Sequence, residues 1–84
     1  MTLDQLKEVM NFQLNNFNDE GVEISNQTVH NEVLDEDDGF GHINSEKMYQ
    51  DVMKFTLIKQ GHALKKWPND WTELTVDELA PKLL

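Results

Sequence analysis

The stretch from Ser45 to Gly61 constrains this chain more than any other part of it. Met48, Tyr49, Val52, Met53, Phe55 and Ile58 recur at the three- and four-residue spacings of an α-helix, with no Gly or Pro among them. An apolar face that broad calls for contact with more than one other helix. Asn44 or Ser45 supplies a capping oxygen, and Glu46 suits the positive end of the helix dipole. Gly61 offers a stop. A chain organised around such an element is expected to be all-α.

Two further segments provide the partners. At the start, Thr2 caps and Gln5, three residues on, completes a capping box. Leu3, Leu6, Val9, Met10, Leu14 and Phe17 then form one stripe, and the turn residues after it predict an end near Asn15 or Asn16. At the other end, Thr75 and Glu78 form a second capping box, opening a short helix through Leu79 and Leu83. Pro81 lies inside it, where proline costs ~3 kcal/mol, so an end or kink near Ala80 is expected.

Between the first two helices, Glu20 to Asn44 is a long connection. An extended piece is expected near Val22–Ile24, a helical turn near Thr28–Leu34, and an acidic turn at Asp35–Gly39. A compact domain rarely keeps so long a loop unoccupied, so its apolar residues are expected to pack back on the helices. After Gly61, Leu64, Trp67, Pro68 and Trp71 read as a linker with at most one helical turn. The two tryptophans read as a plug over the helix ends. Residues 1–84 are thus expected to form a single domain, a small three- to four-helix bundle with a long first loop.

Charge excludes whole classes of function. Seven Lys and Arg face sixteen Asp and Glu, a net charge of −9. Phosphate is bound by cations, so neither nucleic acid nor an anionic membrane is an expected ligand. Basic surfaces on other proteins are. Without cysteine there is no disulfide framework, thiolate nucleophile or cysteine-ligated zinc. No apolar run approaches the ~18–20 residues that cross a bilayer. Met1-Thr2-Leu3-Asp4 does not read as the start of a signal peptide, so a cytoplasmic protein is expected, and the charge and small size lead to the expectation of a monomer.

Residues that could do chemistry are few. Ser45 and His42 are three apart, but no third member marks a triad, so no enzyme is expected. His30, His42 and His62 read as surface or boundary residues. Asp35, Asp37 and Glu46 fall at the first, third and twelfth positions of a calcium loop. Phe40 stands at the sixth, where that loop needs Gly, so a solvated acidic turn is the better reading and no metal is expected.

The layout resembles the acyl and peptidyl carrier proteins. The stretch His42-Ile43-Asn44-Ser45 stands where that family has its Gly-hydrophobic-Asp-Ser motif. Met48, Tyr49, Val52 and Phe55 match the apolar positions that follow the serine, and Gly61-His62-Ala63-Leu64 matches the turn after the helix. Thr75-Val76-Asp77-Glu78-Leu79-Ala80 is similar to the opening of the family's last helix. His42 replaces the motif's Gly, Asn44 its Asp, and Glu46 the apolar residue after the serine.

The resemblance implies a non-enzymatic carrier, with 4′-phosphopantetheine on Ser45 and thioester cargo on its thiol. It implies a phosphopantetheinyl transferase and acyl- or aminoacyl-loading enzymes as partners. Basic patches on these would meet Glu46, Asp51, Asp37 and Asp38. Such a role needs the Ser45 hydroxyl in solvent at the head of its helix. The alternative drawn from charge alone is an acidic interaction protein, an inhibitor or nucleic-acid mimic.

Overall fold

Residues 1–18, 20–36, 44–62 and 67–84 are described by the computed structural model. Three α-helices run in chain order, α1 Leu3–Asn16, α2 Ser45–Lys59 and α3 Val76–Leu83. Single 3-10 turns at His30–Glu32 and Trp71–Glu73 lie on the connections, and among the described residues there is no strand. The fold is all-α, as expected.

Local chemistry sets the helix ends. Thr2 and Thr75 each close a complete capping box, with Gln5 and Glu78 returning to the cap N–H. α2 ends on Gly61 at φ +84°, the left-handed turn that a side chain disfavours. There the Gly61 N–H donates to the Ile58 carbonyl and the His62 N–H to the Leu57 carbonyl, both at 3.0 Å. These crossed bonds satisfy two carbonyls the helix itself leaves open.

α1 packs against both α2 and α3, and one core joins them. Leu6, Met10 and Leu14 of α1 meet Tyr49, Met53 and Leu57 of α2 and Val76, Leu79, Ala80 and Leu83 of α3. The connection packs back as expected: Val33 and Leu34 are buried, and Val22 and Ile24 lie against the core. The Asn26 carbonyl accepts from the Asp77 N–H at 3.0 Å, so the connection also satisfies an open donor at the start of α3. Lys7 of α1 pairs with the Asp77 carboxylate at 3.0 Å.

Four sequence expectations need correction. The core-facing line of α2 is Ser45, Tyr49, Met53 and Leu57, at four-residue intervals. Met48, Phe55 and Ile58 point outward, exposed by 43%, 60% and 61%. α3 does not stop at Ala80 but runs through Pro81 to Leu83. Burying Leu79 and Leu83 stabilises by about 1.5–3 kcal/mol each, which outweighs the ~3 kcal/mol cost of the proline.

The third concerns His30, which is fully buried rather than at a boundary. Its Nδ1 lies 2.6 Å from the Leu74 carbonyl, an acceptor only, so Nδ1 carries the proton. Nε2 is then free to accept from the Tyr49 hydroxyl at 3.1 Å. Tyr49 stacks on Trp71 with ring centroids 5.6 Å apart, and Trp67 packs edge-on against Trp71. The tryptophans pack along the side of α2 rather than over the helix ends, covering a polar pair that periodicity does not show.

Candidate functional site at the head of α2

Asn44 takes the cap, its Oδ1 accepting from the Lys47 N–H at 2.9 Å. Ser45 becomes the first residue of the helix, on the line that faces the core. Its hydroxyl is held from both sides by the end of the connection. The Asp35 N–H donates to Ser45 Oγ at 2.7 Å, and Oγ donates to the Asp35 carbonyl at 3.3 Å. The Glu46 N–H also reaches that carbonyl, at 3.3 Å.

Ser45 is 3% exposed, so the expectation of a hydroxyl presented to solvent is overturned. The physical reason is the division of labour with Asn44. One side chain caps, and the other stitches the connection to the first turn. Ser45 begins the four-residue series completed by Tyr49, Met53 and Leu57, and it is buried because that line turns out to face the core.

Around this stitch lies a shallow cleft lined by Glu36, Asn44, Glu46, Lys47, Gln50 and Trp71. Partial burial, and then the charges of Glu36 and Asp35, raise the Glu46 carboxyl above its ordinary value. Glu46 therefore carries its charge beside two other carboxylates. Asp51 stands one turn along α2 and pairs with Lys47 at 3.0 Å, which offsets its charge.

Asp37, Asp38 and His42 lie outside the described residues, as does the middle of the proposed calcium loop. Among the described residues no group of three or more His, Cys, Asp or Glu could hold a metal ion. No helix among them is long and apolar enough to cross a membrane. Comparison of the chain with protein-family models, curated proteins and solved structures finds no match.

Proposed function

We propose that this chain is a non-catalytic interaction protein that docks a basic partner through the carboxylates gathered at the head of α2. The placing of Glu36 and Glu46 on one shallow cleft, with Asp35 bonded to the first turn beside them, carries this assignment. A lysine or arginine from a partner, placed in the cleft, relieves a repulsion the free protein already bears, so binding gains from its removal. The distribution of charge supports it. Residues 19–38 hold eight carboxylates and no lysine or arginine, equivalent to all but one of the net negative charges. Of these, Glu20, Glu23, Glu32, Asp35 and Glu36 are exposed.

A carrier role asks more of this region. Ser45 Oγ would have to leave both Asp35 bonds and reach solvent before it could take a phosphopantetheine arm. Docking a basic surface needs no such opening.

Capture on the immobilised protein at low salt tests the assignment, with elution as salt rises and identification of what elutes. A partner that binds wild type, releases with salt and is lost with Glu36→Lys plus Glu46→Lys is expected. An empty capture at low salt overturns it. Intact mass after incubation with coenzyme A and a broad-specificity phosphopantetheinyl transferase checks the competing role. A gain of one phosphopantetheinyl group that disappears with Ser45→Ala would restore the carrier.

A further inference from the structure

The outward face of α2 carries an arrangement that docking at its head does not use. Met48, Phe55 and Ile58 are the large exposed apolar side chains of this helix, and half-buried Val52 lies between them. A stripe of this kind on one face, away from the core line, has no partner among the described residues. Polar residues flank it in a definite order. Asp51 lies four residues before Phe55, and Lys59 four residues after it.

That order has a two-fold symmetry. When two copies of α2 pack antiparallel about Phe55, each residue comes level with the one equally far on the other side of it. Phe55 meets Phe55 and Asp51 reaches Lys59, that pair occurring twice, while Val52 and Ile58 come level with each other on opposite edges of the seam. The face is therefore complementary to itself in shape and in charge, which is the requirement of a two-fold interface. The local charge also permits close approach. Three of the chain's seven lysines, Lys47, Lys54 and Lys59, lie on α2 beside only two carboxylates. Half of the carboxylates belong to residues 19–38 instead.

We infer that the outward face of α2 is a homodimer interface, with two copies packed antiparallel about Phe55 and Asp51 of each paired with Lys59 of the other. In the free chain the Lys59 Nζ sits 4.9 Å from the Phe55 ring centroid and Lys47 pairs with Asp51. On association Lys59 moves off the ring to the second copy's Asp51, uncovering the aromatic face for contact. The area sets the strength. An aromatic side chain covers about 150–250 Å² and Met and Ile no more, so the roughly half-exposed Met48, Phe55 and Ile58 give about 300 Å² per copy. That falls below the ~800 Å² per partner of a stable complex, so the dimer is weak and forms with rising concentration. The expectation of a monomer rested on small size and on charge averaged over the chain, whereas α2 carries more lysines than carboxylates. The inference is independent of the function proposed above.

Sedimentation equilibrium on the full chain, from about 10 μM to about 1 mM at ~0.15 M salt, tests it. The weight-average mass is expected to climb from that of one chain toward that of two. Phe55→Ser and Lys59→Asp should each hold it at one chain. Asp51→Lys combined with Lys59→Asp should recover the wild-type curve, because every pair is then restored with its signs exchanged. These positions are exposed, and far-UV circular dichroism confirms that each variant is folded. A wild type that stays monomeric throughout overturns the inference, as does a dimer unchanged by Phe55→Ser or a double variant no better than Lys59→Asp. Phe55-dependent binding of the monomer to phosphatidylcholine vesicles, without self-association, would assign the face to lipid instead and equally overturn it.

Discussion

The Tyr49 hydroxyl donates to Nε2 of His30 at 3.1 Å, joining the long connection to the second turn of α2. Both side chains are fully buried, so neither can turn to water for another partner. Burial also raises the Tyr49 phenol well above its ordinary value, keeping it protonated and able to donate.

Tyr49→Phe is expected to cost about 1–3 kcal/mol, because it strands a buried acceptor on His30 while leaving the stack on Trp71 in place. Urea unfolding followed by tryptophan fluorescence measures this. A midpoint equal to wild type would mean that Nε2 finds another donor.

His30 should make stability sensitive to mild acid. Burial lowers its pKa, and the bond to the Leu74 carbonyl offsets only part of that. The folded state therefore binds the proton less readily than the unfolded chain, whose imidazole titrates near 6.5. The contribution is complete above about pH 6.5 and is lost as pH falls from there toward the lower folded value. Unfolding free energies at about pH 7.5, 6.5 and 5.5 should decline. In a folded His30→Gln variant this decline should shrink.

Ser45→Ala removes the only side-chain partner of the Asp35 N–H among the described residues and is expected to cost about 1 kcal/mol. The loss should be local. Amide exchange at Asp35 and Glu46 is expected to quicken, while α1 and α3 keep their protection. An unchanged exchange rate at Asp35 would show that the stitch does not hold the connection down.

The two sides of α2 should respond differently to truncation. Leu57→Ala opens a cavity in the core and is expected to cost about 2–5 kcal/mol. Ile58→Ala, one residue on and 61% exposed, should change stability by no more than about 0.5 kcal/mol in dilute solution. Thermal or urea midpoints below the association range decide the matter, and equal losses would contradict the facing of α2 described here.

The amino-acid sequence by itself determined the elements whose bonds close within a few residues. Both capping boxes, the Asn44 cap and the Gly61 stop join groups no more than five apart, so they are legible as spacing. The apolar periods of α1 and α3, and the return of the connection's hydrophobic residues to the core, follow from burial alone. Tertiary structure decided the rest. Which side of α2 turns inward depends on where α1 lies, so Leu57 went in while Phe55 and Ile58 stayed out. Ser45 was legible as the start of a helix but not as a buried stitch, because its partner is ten residues away at Asp35. His30 became a core residue only because Leu74, 44 positions on, and Tyr49, 19 positions on, meet its two ring nitrogens. Bonds of that range require the chain to have folded first, and local pattern carries no record of them.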